Sequence, residues 1–196
     1  MRLTLLLASN SPRRRELLLE AGFEFETCAP RVAEKFDVDL SLRELTMFNA
    51  FRKGMSAARA HPKYVVLAAD TLVAIDNNIL GKPRDRKEAI GMLKRLSGRT
   101  HDVCSSVFLC HLAAARSSSF SEISRVRFRK LTRDAIDHYL TRVDPLDKAG
   151  AYAAQGFGSE IIAKIDGSYT NVVGLPMEKT VPALAEFEIQ PKPELH

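Results

Sequence analysis

Tryptophan is absent from this sequence and cysteine is scarce: Cys28, Cys104 and Cys110 are scattered and odd in number. No C-x-x-C occurs, and His61, His101, His111, His138 and His196 show no metal-ligand spacing. That pattern argues against a disulfide framework and a zinc site, and the thiols read as reduced, as in the cytosol. No apolar run is long enough to span a bilayer. The first such run, Leu3 to Ala8, has only a strand's length, and the main basic cluster follows it, whereas in a signal peptide the charges come first. The chain therefore reads as soluble, untargeted and cytoplasmic, with no membrane partner. A G-x-x-x-x-G-K-[ST] phosphate loop is also missing. The net charge is only +5, and no basic stripe is interleaved with aromatics, so nucleic acid is not an expected partner. Arg125, Arg127 and Arg129 alternate and read as a solvated strand face.

What is present is an ordinary globular composition, 45% hydrophobic and 27% charged over 196 residues. A chain of this size buries roughly 70% of the surface its unfolded form exposes and needs no staple. No repeat or linker is visible, so residues 1–196 read as one domain, with Ala113–Ser119 as a surface loop. Leu3–Ala8 reads as a strand, followed by a helix that Ser11 caps, Pro12 starts and Gly22 ends. Leu42–Arg59 reads as a second helix, with Phe48 and Phe51 on one face as core. Tyr64–Ala69 is a strand buried on both faces, and Thr71–Ile75 forms a hairpin with Ile79–Leu80 around Asp76–Asn77–Asn78. Arg86–Leu96 and Thr132–Val143 are helical; Val103–Leu112 and Ile123–Leu131 alternate as paired strands. Glu160–Ile165 and Tyr169–Val173 flank Asp166–Gly167 as a second hairpin, and a last helix follows Pro176. Interleaved strands and helices with hairpins favour an α/β fold with a mixed sheet over a purely parallel one.

Four stretches carry chemistry. Ala8-Ser9-Asn10-Ser11-Pro12-Arg13-Arg14-Arg15 places three arginines in the first turn of a helix, where cations are unfavourable unless an anion compensates. A phosphate, bound by turn N–H groups, hydroxyls and arginine forks, would do so. Asp70 ends a buried apolar run, which is costly for a carboxylate without a cation or metal beside it. Lys82, in Gly81-Lys82-Pro83, lies across the hairpin. Asp70 could hold Mg²⁺ or position a water, against the plainer reading of a turn-initiating Asp. In Asp147-Lys148-Ala149-Gly150-Ala151-Tyr152 and Gln155-Gly156, small residues permit close backbone approach to a ligand, and Gln155 can read a base edge. Lys148 could equally serve only an ion pair with Asp147. The fourth stretch is polar Thr170-Asn171 leading to Gly174-Leu175-Pro176.

Taken together, these blocks resemble the Maf (septum formation inhibitor) family of nucleotide pyrophosphatases. The likeness also includes Leu96-Ser97-Gly98-Arg99-Thr100-His101 and runs over nearly the whole chain in the family's order. It implies an elongated mixed β-sheet flanked by helices, in two lobes with a central cleft, a fold shared with inosine triphosphate pyrophosphatases. It implies a nucleoside triphosphate substrate, a divalent cation (Mg²⁺ or Mn²⁺) and a homodimer. By the same likeness Asp70 is the proton acceptor and a metal ligand. Ser9, Arg14 and Lys82 match the family's phosphate-binding set, Lys53 and Lys82 are read as assisting catalysis, and Arg13 as binding substrate. Arg13, Thr71 and Gln155 match the dTTP/UTP subfamily rather than its 7-methyl-GTP sister. Glu34 is matched to a family metal ligand, although Ala33 stands where an Asp is usual. Lys53 is followed by Gly54 where Ala is usual, with Arg52 as the alternative lysine position. Competing readings are a 7-methyl-GTP or inosine triphosphate pyrophosphatase, and a non-catalytic nucleotide-binding regulator of division.

Overall fold

The computed structural model describes residues 3–35 and 39–192; His196 lies outside them. β1 (Leu5–Ala8), α1 (Pro12–Glu20), β2 (Glu26–Cys28) and α2 (Leu42–Ala60) come first. β3 (Val65–Ile75), β4 (Asn78–Leu80), α3 (Arg86–Leu96), β5 (Thr100–His111) and β6 (Arg116–Phe128) follow. Then come α4 (Arg133–Arg142), α5 (Gly158–Ile161), β7 (Ile162–Asp166), α6 (Tyr169–Val173) and α7 (Met177–Glu186). Local signals explain several boundaries. Ser41 and Glu44 form a full capping box for α2. Asp76 and Asn77 both take positive φ, which a two-residue turn between twisted strands demands, and so β3 folds back onto β4.

The strands form one seven-stranded mixed sheet in the order β2-β1-β3-β5-β6-β7, with β4 on β3. This is the mixed α/β architecture expected from the sequence. β1 runs parallel to β2 and β3, and the remaining pairs are antiparallel. β5 pairs with β3 along one whole edge, from Val65 to Ala74. On the other edge β1 pairs only as far as Leu7–Leu67, and β4 begins only at Val73–Leu80. Between them, residues 68–72 have no strand neighbour on that side among the described residues.

The two-residue period of β3 sorts its side chains. Val65, Leu67 and Ala69 join Leu5, Leu7 and Leu109 in a core under α1 and α7. Val66 and Ala68 join Leu6 and Phe108 under the alanines of α2. A third cluster, with Val73, Leu93, Phe128 and Tyr139, packs α3 and α4 on the far half of the sheet. Each fully buried leucine in these layers contributes about 1.5–3 kcal/mol of apolar burial. Among the described residues, no helix is long and apolar enough to cross a membrane.

Three local expectations are overturned. Tyr169–Val173 is a helix and not the return strand of a hairpin: Ser168 accepts the amide of Asn171 as an N-cap, and β7 pairs with β6 instead. The Asp166–Gly167 turn signal suggested a returning strand, but burial of Asn171 among backbone partners decided otherwise. Arg116–Ser119 is strand, because the backbone of β5 needs a partner along His111–Phe108 whatever side chains supply it. Phe48 and Phe51 are exposed, at 41% and 45%, because α2 turns its alanines to the sheet.

Gly54 has a packing reason. A Cβ built there would lie 2.4 Å from a ring carbon of Phe108, which stacks edge-on with Phe51. Gly54→Ala gains about 1 kcal/mol of helix propensity but overfills the α2–β5 contact. It is expected to lower stability in urea unfolding, by about 1–2 kcal/mol net. The double variant Gly54→Ala, Phe108→Leu should recover part of that loss.

Candidate active site

A cleft opens beside the uncovered stretch of β3, at the C-terminal end of β1. Asp70 shares the parity of Val66 and Ala68, so its side chain faces α2. Thr71 turns to the opposite face, toward α1 and α6. On the α2 side, Lys53 sends Nζ to 2.5 Å from Asp70 Oδ1 and 2.8 Å from Glu34 Oε1. Lys82, half exposed after β4, reaches the same Glu34 oxygen at 3.1 Å. Burial pushes the Asp70 carboxyl up, Lys53 opposes this, and Glu34 adds to the rise. For Glu34, burial also works against ionisation, but Lys53 and then Lys82 outweigh it and hold the group down to about 2.

That depression fixes a pH signature. Glu34 is ionised more readily folded than unfolded, so its contribution is full above the unfolded value of about 4.3. It is lost as pH falls toward about 2. The gap in thermal midpoint between wild type and Glu34→Gln is therefore expected to shrink between pH 5 and about 2. A gap that stays constant over that range would contradict the assignment.

On the α1 side, Arg14 is buried. Its Nε donates to Gly174 O (2.8 Å), Nη1 to Ser9 Oγ (3.2 Å) and Nη2 to Thr71 Oγ1 (2.9 Å). Burial presses the guanidinium down, against the pull of Asp70 and Glu34. Thr71 Oγ1 also contacts Ser105 Oγ at 2.8 Å, and Ser105 in turn is held by buried Asn171. α1 has no side-chain cap at its N-terminus and no acid in its first turn. Ser9 Oγ takes the Ser11 amide, Pro12 has none and the Arg15 amide goes to Ser11 O, so the amides of Arg13 and Arg14 remain available to an anion. Arg13 crosses the cleft to Asp147 Oδ2 at 2.9 Å. Lys148 pairs with Asp147 as well. Gly150, at φ +69, donates its amide to Gly81 O at 3.0 Å and docks the 147–152 segment against the β3–β4 hairpin.

Ser9, Arg13, Arg14, Glu34, Lys53, Asp70, Thr71 and Lys82 thus line one cleft. Gln155 does not line it, although Ala153 and Ala154 do. Arg52, the alternative to Lys53, does not line the cleft and donates to Ala33 O at 2.8 Å. Sequence reasoning missed Asn49. This buried amide sits one helical turn before Lys53, donates to Asp70 Oδ2 (3.4 Å) and clasps the backbone N and O of Lys35. It therefore ties the Glu34 segment to the Asp70 strand. An amide four residues before Lys53, on the same side of an alanine-rich helix, was the available signal. His101 is a core residue: its Nε2 meets the Tyr152 hydroxyl at 2.8 Å, and burial lowers it to about 4.

An acid buried among lysines and arginines, at the end of a strand and beside an uncapped helix, defines an anion-binding site on an α/β sheet. The family follows from the comparison of sequences. The chain belongs to the Maf family, whose model, described as Maf-like protein, matches residues 4–187. It is 46% identical to a protein of Bacillus pumilus (strain SAFR-032) named dTTP/UTP pyrophosphatase, over 95% of this chain and 98% of that one. Proteins of the same name from Bacillus velezensis and Carboxydothermus hydrogenoformans are each 44% identical, over 95% and 92% of this chain and 97% of theirs. A solved structure, that of the Staphylococcus aureus Ham1 protein, overlaps with a TM-score of 0.46 at 15% identity, over 94% of this chain and 99% of that one. That likeness is too loose to carry an argument.

Proposed function

We propose that this chain is a nucleoside triphosphate pyrophosphatase that hydrolyses dTTP and UTP to the monophosphate and pyrophosphate. The observation that carries the reading is Asp70, a buried carboxylate facing a cation-lined cleft, in a chain 46% identical to a protein of that named activity. Asp70 takes a proton from a water that attacks the α-phosphorus in line. The bond to the bridging oxygen breaks, and pyrophosphate leaves with the electron pair. Burial raises the affinity of Asp70 for that proton, which suits a general base. Arg13, Arg14 and the α1 amides hold the phosphates with Ser9, and Lys53 and Lys82 offset charge on the leaving group.

The donor set fits a hard divalent cation such as Mg²⁺ or Mn²⁺. Asp70 and Glu34 already converge on one cationic centre, the Lys53 ammonium, and carboxylate oxygens suit these ions. When bound, such an ion supplies positive charge to the phosphate oxygens. Among the described residues no group of three or more His, Cys, Asp or Glu is suited to a metal, so Asp70 and Glu34 would share it with substrate oxygens and water.

Arg13, Thr71 and Gln155 support pyrimidine selection through their match to the dTTP/UTP subfamily. The reading extends to a single two-lobed domain over residues 1–196, a cytoplasmic setting consistent with three free cysteines, and a homodimer. The exposed α2 face with Phe48 and Phe51 is an apolar surface available to that dimer. The test is pyrophosphate release by the pure protein with Mg²⁺ across a nucleotide panel. dTTP and UTP should be turned over fastest; faster turnover of 7-methyl-GTP or ITP would overturn the base assignment. No release from any nucleotide would overturn the enzymatic one.

A further inference from the structure

Two carboxylates of the cleft, Asp70 and Glu34, already hold a cation, and it belongs to the protein. Lys53 is buried, and its ammonium bridges Asp70 Oδ1 and Glu34 Oε1 at 2.5 and 2.8 Å. Lys82 takes the same Glu34 oxygen, and Asn49 takes the other oxygen of Asp70. An ion coordinated by these oxygens would have to stand where the ammonium stands. The lining adds a second obstacle: among the described residues, five basic side chains face three carboxylates. Such a cleft repels a bare dication and attracts a polyanion.

We propose that Lys53 is a plug in the metal site, withdrawn by the substrate itself. Resting on the pyrophosphatase reading, this means that a divalent cation binds together with the triphosphate and not ahead of it. The nucleotide brings phosphate oxygens that compete for the Lys53 ammonium. The flexible four-carbon stem lets Nζ move from carboxylate to phosphate while its backbone stays on α2. Asp70 and Glu34 are released to the incoming metal in the same event. Until then, Lys53 keeps a deeply buried acid paired, which explains how Asp70 is tolerated at the floor of the cleft.

Mn²⁺ binding to the intact protein tests this, followed by calorimetry and by the paramagnetic resonance of free Mn²⁺. Wild type should show no saturable binding of Mn²⁺ alone. It should bind the ion once dUTP with an NH bridge between the α and β phosphates is added. Lys53→Met, which keeps the stem and removes the charge, should bind Mn²⁺ alone saturably, about tenfold or more below the concentration limit at which wild type still shows none. A purely structural lysine would not raise metal affinity when lost. Wild type that binds Mn²⁺ equally well with and without the analogue would overturn the plug, and so would a folded Lys53→Met that gains no affinity. If that variant fails to fold, the two wild-type titrations decide. Wild type that releases pyrophosphate from dTTP yet binds Mn²⁺ without nucleotide refutes the plug alone; absence of release refutes the underlying reading.

Discussion

Asp70→Asn is expected to lower the turnover of dTTP by about a thousandfold with little change in KM. The substitution keeps the shape but removes a deeply buried carboxylate of the cleft, and its single amide oxygen can serve Lys53 or Asn49 but not both. An amide cannot accept the proton of an attacking water at neutral pH. Phosphate binding should persist, because Arg13, Arg14 and the start of α1 are untouched. The fold should also persist: Lys53 keeps its partner Glu34 at 2.8 Å, and the burial that works against an ionised Asp70 no longer applies. Pyrophosphate release at saturating dTTP is the measurement. A variant retaining more than about a tenth of wild-type turnover would remove Asp70 from the chemistry.

Arg14→Lys should damage binding and stability together. One buried guanidinium spans three acceptors on three parts of the chain: Ser9 after β1, Thr71 on β3 and the Gly174 carbonyl after α6. A lysine cannot cover that spread, because its donors radiate from one atom. Acceptors left buried without donors are costly, so stability should fall by about 2 kcal/mol or more in urea unfolding. The N–H groups that Arg14 does not spend on the protein would also be lost to the phosphates, and kcat/KM for dTTP should fall about a hundredfold. Arg15→Lys, on the exposed side of the same helix turn, is the control and should change neither. Wild-type kinetics in Arg14→Lys would show that the residue only braces the fold.

Much of this was legible in the sequence, and the exceptions have a common cause. Where local chemistry decides, as in the capped start of α2 or the Asp76–Asn77 turn, residue type is enough. The apolar run into Asp70 announced a buried strand with a carboxylate at its end, because few side chains are tolerated there without purpose. Tyr169–Val173 misled because the Asp166–Gly167 turn signal was outweighed by Asn171, which bonds Ser105 N, Val103 O and Ser124 Oγ, partners remote in sequence. Asn49 was silent for the same reason: its clasp on Lys35 exists only once α2 lies over the loop. Phe48 and Phe51 were read as core because helical spacing marks a face without saying what, if anything, covers it.

The open side of β3 sets a limit on what mutagenesis can reach. Val65 gives its amide to Thr4 O across the β1 edge, and the strand's alternation turns the peptide groups of Ala69 and Thr71 the same way. Thr71 lines the cavity, and among the described residues no ladder rung stands opposite those amides and carbonyls. They are written into the main chain, so exchanging one side chain for another leaves them in place. Scanning the walls residue by residue will therefore always spare a share of the grip on a ligand. Proline, which carries no amide hydrogen, is the one natural replacement that erases a donor there.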